Sequence, residues 1–288
     1  MLNALNFRTK NGQDDYYRAY DKTLQMWDVG YSEIYIDTSF GKSHCLMAGN
    51  IDNPPLILLH AASCGSTIWY PNVKALSQSY SVYAIDLITE ASKSMLVKPI
   101  KSKKECAEWL NGTLDGLDIK QIYLCGLSIG GWNAADYASV YPQRVKKLIL
   151  LSPVQTFAKI YFSYFFKIMK MGFKPARKSV EEYLGWGGKK ETPLPDSVIE
   201  QFTISAMNVN PNGVFPKILK KKALANLKMP VLALFGENEF AFSVRKVANT
   251  AKSTIEDLDI ETVENVSHLI SVSSPVLINE HILRFLKW

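Results

Sequence analysis

The chain has 288 residues, 47% hydrophobic and 21% charged, an ordinary globular composition that excludes disordered and collagen-like classes. That length suits one large α/β domain or two smaller ones, with core enough to need no covalent staples. The formal charge of +6 gathers partly in two short runs, residues 98–104 and 217–222, which lack the interleaved aromatics of a nucleic-acid stripe; they read as solvated surface, and no nucleic-acid partner is expected.

From the start, the N-terminus lacks the basic opening and apolar stretch of a secretory signal. Residues 14–27 read as an amphipathic helix, and residues 31–49 as an antiparallel hairpin turning at Ser39-Phe40-Gly41. A rhythm then begins. Apolar runs at 56–59, 82–85, 122–125, 148–151 and 231–235 lead to His60, Asp86, Ser128, Ser152 and Glu239. Each run is apolar at every position, as parallel strands covered on both faces are. Helix-compatible segments at 67–79, 102–117, 129–141, 243–255 and 275–286 alternate with them, and a last strand is expected at 260–263. The alternation predicts an α/β fold with a mostly parallel sheet flanked by helices. The polar residues fall at strand carboxyl ends, where such sheets gather their chemistry.

Residues 153–222 interrupt this rhythm. They are rich in bulky apolar side chains: Phe157, Tyr161, Phe162, Tyr164, Phe165, Phe166, Met169, Met171, Phe173 and Trp186. The segment is too long and too apolar for a loop and predicts a helical cap over the crevice, whose aromatics pack onto the core or line the opening. No stretch reaches 18 apolar residues, so no membrane span is expected. Cys45, Cys64, Cys106 and Cys125 form no CxxC pair and no metal spacing, which predicts a reducing, cytoplasmic setting.

The sequence Gly126-Leu127-Ser128-Ile129-Gly130-Gly131 joins an apolar strand to a helical stretch. A serine on so sharp a turn has strained backbone angles and needs small neighbours two residues away. Its hydroxyl projects above the sheet, and the N–H of Ile129 points to where an oxyanion would form, aided by the helix dipole. Ser128 is the predicted nucleophile.

With this motif the chain resembles the α/β-hydrolase superfamily over nearly its whole length. Within it the chain is most similar to bacterial carboxylesterases of the carboxylesterase NP type, which combine a comparable N-terminal extension with an elbow of this form. The resemblance implies an eight-stranded, mostly parallel sheet with a helical cap insertion. Residues 1–152 and 223–288 would form the core, 1–30 the N-terminal helical extension and 153–222 the cap. It also implies that the second oxyanion donor is a backbone N–H of the loop at 60–65, assigned to Ala62. Ala61 stands where the family has glycine, which predicts a slightly tighter pocket.

A base must take the serine's proton. The superfamily carries its histidine after the last strand, which selects His268; of the other three, His44 and His281 fall in structural or exposed positions and His60 in a packed loop. The family's acid follows the seventh strand, where Gly236-Glu237-Asn238-Glu239 stands, so Glu239 is the expected acid, with Glu237 its nearest competitor and Asp257 and Asp259 remote ones. Asp86 is given a structural or pocket-edge role. His60, Ala61, Cys64, Trp132, Phe162, Phe165 and Phe166 are candidate pocket residues. The whole predicts a cofactor-free, metal-free hydrolase of small-molecule carboxylic esters. A carbon–carbon bond hydrolase or perhydrolase with the same triad stays open, as does a non-catalytic ligand receptor on this fold. Oligomeric state is not legible.

Overall fold

The computed structural model describes residues 5–184, 194–210 and 214–287; Trp186 lies outside them. The strands are β1 (Tyr31–Thr38), β2 (Gly41–Ala48), β3 (Pro55–Leu59), β4 (Ser81–Ile85), β5 (Met95–Leu96), β6 (Ile122–Leu127), β7 (Val145–Leu151), β8 (Val231–Gly236) and β9 (Leu258–Val263). The helices are α1 (Lys10–Leu24), α2 (Val73–Leu76), α3 (Lys103–Gly116), α4 (Ile129–Val140), α5 (Phe162–Phe173), α6 (Arg177–Leu184), α7 (Asp196–Asn208), α8 (Lys221–Leu224), α9 (Val244–Lys252), α10 (Ile270–Ser273) and α11 (Pro275–Lys287).

Eight strands follow the order β1-β2-β4-β3-β6-β7-β8-β9, and β5 adds a short ninth by pairing with β2. The hairpin β1–β2 is antiparallel and joins β4 antiparallel; from β4 through β3 to β9 every pairing is parallel. The extra strand is two residues long, too short for any periodicity to announce. The apolar runs form strands because they are covered twice. Ile57, Leu59, Ile85, Leu124 and Ala233 enter the core on one face, and Leu56, Leu58, Ala84, Cys125 and Leu234 the core on the other.

Helix starts follow side-chain chemistry. Thr9 caps α1 by accepting from the Gly12 N–H, and Ser102 caps α3 by accepting from Glu105. The helix expected at 67–79 is instead a 3₁₀ turn at Ser66–Trp69 and the single turn α2. Pro71 lies between them, and its ring and missing N–H break a continuous helix.

Helices α5 to α8 fill the stretch between β7 and β8. The N-terminal helix is tied to α7: the Thr23 hydroxyl donates to the Ser197 carbonyl, and Lys22 pairs with Glu200. Gln201 on α7 donates to the Tyr16 hydroxyl and to the carbonyl of Cys64, tying the inserted helices to the loop after β3. Among the described residues no helix is long and apolar enough to cross a membrane.

Candidate active site

Ser128 sits between β6 and α4 with φ 55° and ψ −114°. A non-glycine residue at positive φ is strained and persists only where its surroundings impose it. Here the Ser128 N–H donates to the Leu151 carbonyl, and its own carbonyl accepts from Trp132 and Val154. The flanking glycines answer a need for space: a Cβ on Gly126 would meet the Gly130 carbonyl, and one on Gly130 would meet the carbonyls of Leu59 and His60.

The loop after β9 brings His268 to this serine. His268 Nε2 lies 2.8 Å from Ser128 Oγ, and Nδ1 lies 2.9 Å from both carboxylate oxygens of Glu239. Glu239 also accepts from the N–H of Ala241 at 2.8 Å, which fixes its carboxylate beside the ring. Its side chain is fully buried, so the pair operates away from bulk solvent. The rings of Phe240, Tyr164 and Phe242 pack around the imidazole, with centroids 5.6, 6.0 and 6.1 Å away. The competing acid does something else: Glu237 points outward and accepts from the N–H of Asn265. Asp257 and Asp259 lie at the opposite end of the sheet, where β9 begins beside Val231 and Leu232.

The other histidines are occupied. His60 is buried, with Nδ1 on the Ala61 carbonyl at 2.7 Å and Nε2 accepting from the Leu87 N–H at 2.9 Å. Burial pushes its pKa down, so it is a neutral structural ring. His281 pairs with Glu261 near the surface. His44, fully buried, lies 2.9 Å from Asp86 through Nδ1 and 2.9 Å from Glu33 through Nε2. Asp86 also accepts from the N–H groups of Ser66 and Lys93. Burial opposes its charge, yet the His44 hydrogen bond and these partners hold its carboxyl at about 2. Asp86 is therefore structural, as one of its two expected roles had it, and stands outside the chamber wall.

Above Ser128 opens a chamber of about 490 Å³, within the usual range for small-ligand sites. Ala62, Ser128 and Ile129 stand together in its floor, with Tyr164, Ile168 and Met171 from the inserted helices among its apolar walls. None of the seven pocket residues expected from sequence lines it. His60, Ala61 and Cys64 are turned into the protein; the Cys64 thiol bonds to the Ala61 carbonyl, and burial pushes its pKa far up. The methyl of Ala61 therefore does not narrow the chamber. Trp132 is buried with its indole N–H on the Lys217 carbonyl. Phe162 and Phe165 line a separate groove, and Phe162 and Phe166 face solvent. The inward aromatics are instead Tyr164, Tyr183 and Phe202, with the exposed Phe215 at the rim.

Sequence reasoning also missed Glu90. Its carboxylate stands in the chamber wall and accepts from the N–H of Ser63, the residue after Ala62. Ser63 has φ 65°, so the bond helps hold a strained loop. Burial pushes the Glu90 carboxyl up to about 7, against the opposing pull of that N–H. In the sequence Glu90 sits in no motif, so nothing there singled it out. Tyr164 and Tyr183, whose hydroxyls are 2.6 Å apart, carried no signal beyond being aromatic.

Comparisons with known proteins give the family. Residues 54–174 match the family model described as the alpha/beta hydrolase fold. An uncharacterized carboxylesterase, nap, of Bacillus subtilis is 32% identical over 94% of this chain and 91% of its own. The crystal structure of naproxen esterase (carboxylesterase NP) from Bacillus subtilis superposes with a TM-score of 0.91 at 31% identity, covering 97% of this chain and 99% of that one. That of carboxylesterase CesB (YbfK) from the same organism gives 0.91 at 27% identity, covering 96% and 98%. The chain belongs to the α/β-hydrolase family.

Proposed function

We propose that the chain is a carboxylic ester hydrolase acting through an acyl-enzyme, with Ser128 as nucleophile, His268 as base and Glu239 as the acid that orients it. The observation that carries this reading is the unbroken line of bonds from Glu239 through His268 to Ser128, ending in the floor of an apolar chamber. Ser128 Oγ attacks the ester carbonyl while its proton passes to His268 Nε2. The charge on the former carbonyl oxygen is met by the N–H groups of Ala62 and Ile129. His268 then gives its proton to the departing alkoxide, and the alcohol leaves. A water molecule yields a proton to His268 as its oxygen attacks the acyl carbon. His268 then returns that proton to Ser128 Oγ as the acyl–serine bond breaks, releasing the carboxylic acid and the free serine. Glu239 keeps Nδ1 protonated and steadies the imidazolium in both halves.

In this reading residues 1–152 and 223–288 are the catalytic core and 153–222 the cap that walls the chamber. The substrates are small esters with apolar acyl or alcohol parts, as the Ile, Val, Met and Phe walls require. Cys45, Cys64, Cys106 and Cys125 are all free and buried, which supports a cytoplasmic site of action. A p-nitrophenyl ester series of increasing acyl length, run on the wild type and on Ser128→Ala, tests the reading. The wild type should show saturable release of p-nitrophenol with a preference among the esters, and the variant only background. A wild type that reacts once with the ester and then stops would be a receptor rather than an enzyme.

A further inference from the structure

Helix α5 is apolar on two faces. Its inner face sets Tyr164, Ile168 and Met171 against the chamber. Its outer face carries Phe162, Phe166, Met169 and Phe173, a single helical stripe. These four are 73%, 55%, 37% and 79% exposed. On a globular surface helix such a stripe ordinarily faces the core; here it faces outward. Phe215 and Ile218 are exposed as well and extend it. A groove of about 470 Å³ takes Phe162, Phe165, Phe215 and Ile218 into its walls and shares Gln155, Ile160 and Pro216 with the chamber. The outward rings touch one another, Phe162 edge-on to Phe166 with centroids 4.5 Å apart and Phe165 to Phe215 at 6.2 Å. They form one surface running to the chamber's rim.

The charge distribution says what would cover it. Between positions 153 and 222 the sequence places twelve lysines and arginines against five acidic residues. This stretch therefore carries +7 while the whole chain carries +6, so the remainder is slightly acidic. Lys159 and Lys217 stand in the groove wall itself, Lys174 directly follows Phe173, and residues 220–222 are all lysine. Of the acids, Glu182 is paired with Lys170, and Glu181 and Asp196 with Arg177. A second copy of the chain would set one basic surface against another. An anionic lipid surface meets both the exposed rings and the surplus charge. We propose that the outer face of α5, with residues 215–222, docks on an anionic phospholipid bilayer and sets the chamber mouth against it. Resting on the esterase reading for what is delivered, lipophilic esters would then enter from the lipid phase.

The test is co-sedimentation of the full chain with vesicles of phosphatidylglycerol and phosphatidylcholine in equal parts, against phosphatidylcholine alone. Each lysine near an anionic surface is worth about fivefold in partitioning, so binding to the anionic vesicles should be tighter by tenfold or more, about one to two lysines' worth. It should be lost in ~0.5 M salt. The double variant Phe166→Ser/Phe173→Ser should bind about tenfold more weakly, its loss coming from buried apolar area, while hydrolysing p-nitrophenyl acetate as the wild type does. Lys220→Glu/Lys221→Glu should lose the preference for the anionic vesicles. Equal binding to both vesicle types, or variants that bind like the wild type, overturns the proposal. So does a wild-type dimer in sedimentation velocity that the phenylalanine variant dissociates. Vesicle binding is read without turnover, so failure of the esterase reading alone would leave it unmoved.

Discussion

Two buried histidines in this chain keep nearly the same company. His268 meets Glu239 through Nδ1 at 2.9 Å, and His44 meets Asp86 through Nδ1 at 2.9 Å. They differ at the other nitrogen. Nε2 of His268 faces the Ser128 hydroxyl in the chamber floor, whereas Nε2 of His44 faces the carboxylate of Glu33. Burial disfavours a charged His44, but its two carboxylates outweigh that and raise its pKa. A ring with both nitrogens bonded to carboxylates has no free site to take a proton from a reacting group. A histidine–carboxylate pair is therefore not in itself a catalytic signature; the third partner decides.

The comparison breaks most sharply at the serine. Ser128→Ala should lower ester turnover about a thousandfold or more, with the far-UV circular dichroism unchanged. Glu239→Gln should lower kcat on the order of a thousandfold, because an amide favours the wrong imidazole tautomer. Glu237→Gln should leave kcat unchanged, since that side chain only caps the Asn265 loop. A large effect of the second and none of the first would move the acid.

On the structural side, His44→Ala should leave kcat nearly intact and cost about 3 kcal/mol of stability, because the buried Asp86 loses its ring partner while Glu33 keeps only Lys93. Chemical denaturation across pH sharpens this. The raised pKa of His44 stabilises fully below its ordinary value of 6.5 and is lost as pH rises through the folded value. The lowered pKa of Asp86 stabilises above 3.8 and is lost as pH falls through about 2. His44→Ala should thus flatten the alkaline limb of the stability curve. Stability that stays parallel to the wild type from pH 6 to 9 would show that His44 does not carry that limb.

The smallest effect is expected at Glu90. Its carboxyl, pushed up to about 7 from 4.5, favours the folded state while protonated and loses that contribution as pH rises through about 7. Glu90→Gln keeps an acceptor for the Ser63 N–H and removes the titration. The variant should therefore gain stability relative to the wild type above pH 7, with kcat/KM changed only a few-fold, about the effect of one adjusted hydrogen bond. Unchanged relative stability from pH 5 to 8.5 would show that Glu90 titrates normally.

Much of the Glu239–His268–Ser128 line was legible in the sequence because its signals are local. An elbow serine needs small neighbours, so Gly126 and Gly130 bracket Ser128, and strands covered on both faces read as unbroken apolar runs. The His44–Asp86 pair was not legible, since its partners lie 42 positions apart and neither sits in a motif. Pocket aromatics failed for a different reason. With apolar side chains on both faces of α5, composition cannot say that Tyr164 turns inward and Phe166 outward. Residues 67–79 failed at Pro71, where the apolar pattern outweighed the helix breaker.

The most direct test of the two-histidine contrast is labelling by a p-nitrophenyl alkylphosphonate, followed by peptide mass mapping, on the wild type, His268→Ala and His44→Ala. The account requires a single adduct on Ser128 in the wild type and in His44→Ala, and little or none in His268→Ala. Equal labelling of Ser128 without His268, or loss of labelling in folded His44→Ala, would contradict it.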